Sequence, residues 1–452
     1  MCRRDSDGAK RLCFAFFWML VCCFPCLCTA DPIRTPLPEP LTLQRALALA
    51  DEPDPALAEA QADLEGAEAD RRLIESTLGI QASFSGNLRW IKPDPLAPDP
   101  SQNDSSLHFN IRKRLYDFGR SRYGLSAVRS EIEASEWLYE DARQQRRIEI
   151  MVRFLEVLLA DMEYDRDSEA AAVAYARYDR LRDRNELGQV SDIDLQQAAS
   201  EYRKARRDRA VSQAPQRTRR ALLAEVLNRP GELPVTLVEP EFAGLDRDPP
   251  PVDDLIREAL KMNPVLRALR SQVQAVQEKL KEDRAGRNPI LTAEIHRAFY
   301  KRRFGSRDQW RADMLLEVPL LTGGTVEANE AEHLAERHRL EARLDRRSRE
   351  VRQAVLERWE EIRTLRQGLV EARARVQYRD LYLDRSRSLY ELEVKTDLGD
   401  AMTQNVAAFL HETRTKFELA LAWARLAALT GKSAGFLKAE SGSASPHKNR
   451  KD

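Results

Sequence analysis

The side chains best able to do chemistry in this 452-residue chain are few and scattered. The six histidines are His108, His296, His333, His338, His411 and His447. Two of them, in His333-Leu-Ala-Glu-Arg-His338, stand five apart on a helical pattern. Residues on one helix face recur every three or four positions, so this pair cannot clasp a metal as the HExxH zinc motif does. It reads as a polar helix surface. Leu321-Thr-Gly-Gly-Thr325 has the glycines of a phosphate loop but not its Lys-Ser/Thr, and reads as a strand-to-helix turn. No nucleophile can be matched to a base. These residue types therefore predict no catalytic residue, no metal site and no cofactor, and the chain does not read as an enzyme.

All six cysteines (Cys2, Cys13, Cys22, Cys23, Cys26 and Cys28) crowd into the N-terminal segment, which reads as a secretory signal. Arg3, Arg4, Lys10 and Arg11 precede an apolar run from Leu12 to Leu27, and Cys28-Thr29-Ala30 suits cleavage before Asp31. The run is shorter than the ~20 residues of a membrane span. Pro25 and Leu27 stand where a lipoprotein signal would place leucine and a small residue, so lipidation of Cys28 is not expected. Removing residues 1–30 leaves no cysteine, and hence no disulfide, thiolate metal site or cysteine nucleophile. Lys+Arg and Asp+Glu balance at 73 each, so nothing marks a nucleic-acid binder. The run Arg203-Lys-Ala-Arg-Arg-Asp-Arg209 belongs to helices that also carry acids, and reads as a solvated face.

The elements that organise this chain come in two sets. No proline occurs between Pro100 and Pro215 or between Pro319 and Pro446, which leaves two long helix-permissive tracts around a proline-rich middle. An Ala-Leu pair, then Pro-x-Leu, then a polar-apolar helix, then a strand appears first with Ala48, Leu49, Pro55 and Leu57. It appears again with Ala259, Leu260, Pro264 and Leu266, about 205 to 210 residues later. The expected organisation is a signal at 1–30, a first repeat at 31–229 with a β-hairpin at about 80–115, and a linker at 230–251. A second repeat follows at 252–431 with a β-hairpin at about 290–321, then a polar, disordered tail at 432–452.

The four strand-like stretches alternate with period two. Ile80, Ala82, Phe84, Gly86, Leu88 and Trp90 form one face, against Gln81, Ser83, Ser85, Asn87 and Arg89. Leu107, Phe109, Ile111 and Leu115 alternate with His108, Asn110, Arg112 and Arg114, with Lys113 the exception. Leu291, Ala293, Ile295 and Phe299 make a similar face broken by Arg297, and Trp310, Ala312, Met314, Leu316 and Val318 make the fourth. Trp90, Phe299, Tyr300 and Trp310 sit near the polar hairpin tips, where an aromatic girdle of a membrane barrel would lie. A sheet half-buried against soluble helices alternates in the same way, so alternation alone leaves both readings open. Four strands cannot close a barrel, and lipid tolerates no open edge, so a membrane location requires several chains; three would supply twelve strands.

The tracts after Gly119 and Gly324 are helical. Ile148, Val152, Leu155, Leu159 and Met162 predict a coiled-coil seam, as do Val406, Leu410, Thr413, Phe417, Ala420, Ala424 and Ala427. Each tract is interrupted once, by a turn with Gly188, Ser191 and Asp192 and by Tyr390 to Asp400, so that each folds into an antiparallel hairpin.

The duplicated Ala-Leu…Pro-x-Leu helices, the strand-ending Gly119 and Gly324, the Tyr390 to Asp397 stretch and the closing Ala-Leu-Thr-Gly431 resemble the TolC family of outer-membrane efflux proteins, over roughly Leu41 to Gly431. The resemblance implies a mainly α fold with a small membrane β part. Duplicated antiparallel helical hairpins would form an α-barrel, and four strands per chain would join a trimeric twelve-stranded β-barrel. It further implies a homotrimer in outer-membrane lipid with its helices in the periplasm, acting as the passive exit duct of a tripartite efflux system with a periplasmic adaptor and an inner-membrane pump. A duct for type I protein secretion and a pore-less periplasmic coiled-coil scaffold are the alternatives. By the same resemblance Asp397 and Asp400 narrow the periplasmic entrance, and Gly188, Ser191, Asp192 and Thr396 mark the tips that meet the adaptor. Glu393 stands where the family usually has glycine, about two residues short in spacing, and an aspartate at a helix start also serves as a cap. Three copies of two carboxylates around a narrow opening favour cations. Asp397→Ala combined with Asp400→Ala is therefore expected to raise single-channel conductance and weaken cation block in planar bilayers; unchanged values would remove the acidic entrance.

Overall fold

The computed structural model describes residues 37–52, 54–94, 99–234, 236–302, 308–392 and 398–432. The expected signal segment, and the expected tail apart from Lys432, lie outside them. The elements run α1 (Leu43–Ala48), α2 (Pro55–Leu78), β1 (Ile80–Asn87), β2 (Ser106–Tyr116), α3 (Arg120–Glu186) and α4 (Asp192–Val226). The same order then recurs as α5 (Val252–Met262), α6 (Pro264–Ala285), β3 (Ile290–Tyr300), β4 (Trp310–Glu317), α7 (Thr325–Glu391) and α8 (Leu398–Leu429).

The repeated Pro-x-Leu has a local cause in both places. The Asp54 side chain accepts the Ala56 N–H at 2.9 Å, Pro55 opens α2 with its fixed φ, and Leu57 is buried. Asn263 accepts the Leu266 N–H at 3.2 Å, Pro264 opens α6, and Leu266 is buried. Asn263 also donates from Nδ2 to the Leu429 carbonyl at 3.2 Å, tying the end of α8 to the start of α6. Gly431 closes this joint with φ +67°, and a Cβ there would sit 2.6 Å from the Met262 carbonyl oxygen, so glycine is required twice over.

The α3 and α7 helices are each 67 residues, about 100 Å at 1.5 Å per residue. Ion pairs show what flanks each level of α3. Near the sheet, Glu131 pairs with Lys279 of α6 at 2.5 Å. Beyond the middle, Asp161 pairs with Arg220 of α4 at 2.5 Å, Arg414 of α8 pairs with Glu163, and Arg177 pairs with Glu201 of α4 at 3.2 Å. The waist of α3 meets the chain before α2. Arg143 pairs with Asp51 at 2.6 Å, and Arg146, 6% exposed, reaches Asp54 at 2.5 Å. The hydrogen bond from Arg143, with Arg147 behind it, holds the Asp51 carboxyl below its ordinary range.

Burial corrects the expected seam. Between Ile148 and Met162 of α3 the buried residues are Ile150, Met151, Phe154, Leu155, Val157 and Ala160, while Ile148, Val152, Leu159 and Met162 are only half-buried. A narrow stripe suits one partner helix, but α3 packs against α2, α4, α6 and α8 and needs a broader apolar face. On α8, Leu410, Phe417, Ala420 and Ala424 are buried as expected, joined by Leu419, Ala422, Trp423 and Leu426. Pro215, read as the end of a helix-permissive tract, lies inside α4. The helix continues because its neighbour α3 holds it on both sides of the proline.

The proline-rich segment 230–251 is strapped to the helices. The Pro250 carbonyl accepts from Trp359 Nε1 at 2.9 Å, the Asp246 carboxylate pairs with Arg373 at 3.1 Å, Arg247 lies 4.4 Å over the Trp423 ring, and Lys416 pairs with Glu239 at 2.8 Å. Among the described residues no helix is long and apolar enough to cross a membrane.

The Arg146–Asp54 pair at the waist gives a measurable expectation. Removing one partner of a buried ion pair leaves the other charge uncompensated. Arg146→Ala should destabilise the protein by about 1–3 kcal/mol, since Asp54 is half-buried and keeps the Ala56 N–H, read as a fall in the midpoint of denaturant or thermal unfolding. A change within a few tenths of a kcal/mol would mean that Asp54 finds water instead.

Candidate functional site

The four strands form one antiparallel sheet in the order β1-β2-β3-β4, so the hairpins of the two halves meet at β2 and β3. The register sorts side chains by face, because directly opposed residues in an antiparallel pair point the same way. One face runs in rungs across the sheet: Ile80, Lys113, Ala293, Met314; then Ala82, Ile111, Ile295, Ala312; then Phe84, Phe109, Arg297, Trp310; then Gly86, Leu107, Phe299. The other carries Gln81, Arg112, Glu294, Asp313 on one rung and Ser83, Asn110, His296, Arg311 on the next. Ser85, His108 and Ala298 form a third.

Among the described residues nothing covers the apolar face. Phe84 is 70% exposed and Met314 72%, and Ile80, Phe109, Ile295, Trp310 and Leu316 are exposed with them. Among the described residues the main helix–strand contacts are those of α2 with β1 and β2. The described helices therefore do not bury this face as a half-buried sheet would require. Both charged exceptions flank the Ala82–Ile111–Ile295–Ala312 rung, Lys113 on the helix side and Arg297 on the tip side. The Arg297 guanidinium lies 5.0 Å over the Phe299 ring, directed toward the tip. Long cations beside an apolar belt reach outward from it in this way.

Two sequence expectations shift here. A β-bulge between Arg114 and Tyr116 puts Tyr116 opposite Leu291, so Tyr116, and not Leu115, continues the apolar face. Of the expected girdle, Phe299 and Trp310 share that face. Tyr300 falls in the other alternation and stands edge-on to His108, with ring centroids 5.5 Å apart. Trp90 lies beyond β1, bridged to Asn103, and is exposed. Residues 95–98 and 303–307 of the two hairpin tips lie outside the described residues.

The polar face is internally paired. Arg112 pairs with Glu294 across the β2–β3 seam, and Arg311 with Asp313 at 2.6 Å. His108 Nδ1 lies 3.2 Å from His296 Nε2. Sequence reasoning gave no cause to connect these two histidines, 188 residues apart; only the register between halves brings them together. His333, by contrast, is half-buried on α7 and held by Asp283 at 2.5 Å, beside a cleft of about 670 Å³ that Glu131, Lys279 and Arg339 also line. Among the described residues no group of three or more His, Cys, Asp or Glu is placed to hold a metal.

Each strand pair leads into its long helix through a glycine. Gly119 has φ +101° and Gly324 φ +84°, conformations that other residues reach only with strain. At the far end of α3 the turn is ordered. Gly188 has φ +67°, Ser191 Oγ accepts the Asp194 N–H at 3.2 Å, and Asn185 donates to the Val190 carbonyl and to Asp192, both at 3.0 Å. Two aliphatic residues stand out from this tip, Leu187 at 71% and Ile193 at 79% exposed. Sequence reasoning named the polar turn residues and missed these, although an apolar residue on either side of a polar turn is visible in the sequence. At the other tip Asp400 lies in the first turn of α8 and is exposed, while Thr396 and Asp397 lie outside the described residues.

No family profile matches the sequence, and no curated protein does. Solved structures do match. The outer membrane protein VceC of Vibrio cholerae is 17% identical with a TM-score of 0.69, over 87% of this chain and 96% of that one. The CmeC outer membrane channel of Campylobacter jejuni is 16% identical with a TM-score of 0.66, over 88% and 87%. The open state of the MtrE outer membrane channel of Neisseria gonorrhoeae is 16% identical with a TM-score of 0.65, over 87% and 89%. The fold implied by the resemblance to the TolC family is thus the fold observed: long helices with a small four-stranded antiparallel sheet, as in these outer-membrane channels.

The two glycine turns set the angle between sheet and helix. Gly119→Ala should cost about 1–2 kcal/mol, because a left-handed residue gains a Cβ, and that Cβ would also press on the Tyr123 ring at 3.2 Å. Gly324→Ala meets no such neighbour and should cost less. Unfolding midpoints of the two variants check the order; the reverse order would show that the strain lies elsewhere.

Proposed function

We propose that a chain with this fold is one subunit of an outer-membrane channel, the passive exit duct of a tripartite efflux system. The observation that carries the reading is the sheet. It exposes an apolar face, and β1 and β4 each have a strand partner on one side only. In lipid every backbone donor and acceptor must be paired, and only a closed barrel achieves this with strands. A four-stranded piece closes only with further copies, and three copies make a twelve-stranded barrel within the even-numbered range of such barrels. The apolar face then meets lipid, with Phe299 and Trp310 and the nearby Trp90 at the level of a girdle. The polar face lines a water-filled lumen.

In this reading the long helices continue the duct into the periplasm, and the helical tips meet a periplasmic adaptor and, through it, an inner-membrane pump. The exposed Leu187 and Ile193 beside Gly188, Ser191 and Asp192 supply an apolar contact for such a partner. Asp397 and Asp400 would form the acidic entrance, residues 31–229 and 252–431 the two repeats, and 230–251 the strap between them. Substrate passes without chemistry, and the chain is not an enzyme. Residues 1–30 serve as the export signal.

The full-length protein expressed in a Gram-negative host should fractionate with the outer membrane as a heat-modifiable trimer and conduct ions in planar bilayers. A soluble periplasmic product without conductance would overturn the reading and leave the coiled-coil scaffold.

A further inference from the structure

The histidine pair on the polar face is unused by a passive duct. His108 belongs to β2 and His296 to β3, on adjacent rungs of the seam that joins the two halves. Both are half-buried, so solvent ions reach them. Their facing nitrogens, His108 Nδ1 and His296 Nε2, are 3.2 Å apart. The other ring nitrogen of His108 lies 2.9 Å from Ser106 Oγ. A proton on that Nε2, donated to the serine, leaves the Nδ1 lone pair aimed at His296. Metal-ligating histidines are held this way, with the second nitrogen engaged by a neighbour that fixes tautomer and ring orientation.

The spacing suits an ion as well as a hydrogen bond. Two nitrogens at 2.0–2.1 Å from one ion are about 3.4 Å apart at the tetrahedral angle and about 2.9 Å apart at a right angle. The observed 3.2 Å falls between. The neighbouring cations do not stand against this, because Arg112 is paired with Glu294 and Arg311 with Asp313 on the same face.

We propose that His108 and His296 bind one divalent transition-metal ion of the kind imidazole prefers, Ni²⁺, Cu²⁺ or Zn²⁺, with water completing its coordination. The ion clips β2 to β3 and so pins one half of the chain to the other. The site stands on the register within a single chain, and neither assembly nor conductance is part of its argument.

The test uses full-length, metal-stripped protein without a histidine tag, purified in detergent and titrated calorimetrically with Ni²⁺ alone and Zn²⁺ alone. The expected result is one ion per chain, lost in His108→Ala and in His296→Ala and retained in His333→Ala. Ser106→Ala should weaken binding about 10-fold or more by freeing the ring. Ni²⁺ in excess should raise the unfolding midpoint of the unaltered protein and not that of His108→Ala, since a ligand bound only to the folded state stabilises it. Binding of unchanged stoichiometry in the double variant His108→Ala/His296→Ala would overturn the proposal, as would no heat of binding at millimolar Ni²⁺ and Zn²⁺, which would leave a hydrogen-bonded pair only. Bilayer conductance of the metal-free protein is a separate reading, so failure of either idea leaves the other standing.

Discussion

A backbone amide facing hydrocarbon has no water to bond with, and each one left unpaired costs several kcal/mol. In the proposed channel that constraint governs the strands. Among the described residues β2 and β3 are paired on both sides, and β1 and β4 have one neighbour each. The apolar face makes water a poor solvent for the sheet, and the open edges make lipid a poor solvent for a single copy. In the proposed channel, further copies of the chain satisfy both. The helices carry no comparable demand, since between their capped ends the backbone bonds close within the segment and their faces are rich in Arg, Glu and Asp.

The helical part solves a different problem, holding rods of about 100 Å side by side with thin apolar stripes. Its anchor is the waist of α3, where Arg143 and Arg146 engage Asp51 and Asp54, Arg229 near the end of α4 engages Glu52 at 2.7 Å, and Asn263 holds the end of α8. The helix starts and helix ends of both halves converge there. Repeated Pro-x-Leu sequences mark these joints because a side-chain cap, a proline with fixed φ and a buried leucine act together at one point.

Much of this was legible in the residues, and the limits have physical causes. Strands were visible because period-two alternation survives in Ile80 to Asn87 and Trp310 to Glu317. Glycines at 119 and 324 marked the turns that need positive φ. The helical seam was misjudged at Ile148 and Val152 because a heptad pattern assumes one partner and α3 has several. Tyr300 was grouped with Phe299 by adjacency, and successive strand residues point to opposite faces. The bulge at Arg114 and Tyr116 and the pairing of His108 with His296 depend on how two distant strands align, which no local pattern encodes.

The order of the sheet also dictates a timetable. The central seam joins strands whose paired histidines are 188 residues apart, whereas each hairpin is local. A chain synthesised from its N-terminus presents β1 and β2 long before β3 exists. The first hairpin therefore waits with one backbone edge of β2 unpaired until the second half arrives. Contacts of such long sequence separation are slow to form, because the entropy of closing the loop precedes any gain from pairing. The interval between the two hairpins is thus an aggregation-exposed stage, one at which a holding chaperone would have a strand edge to protect.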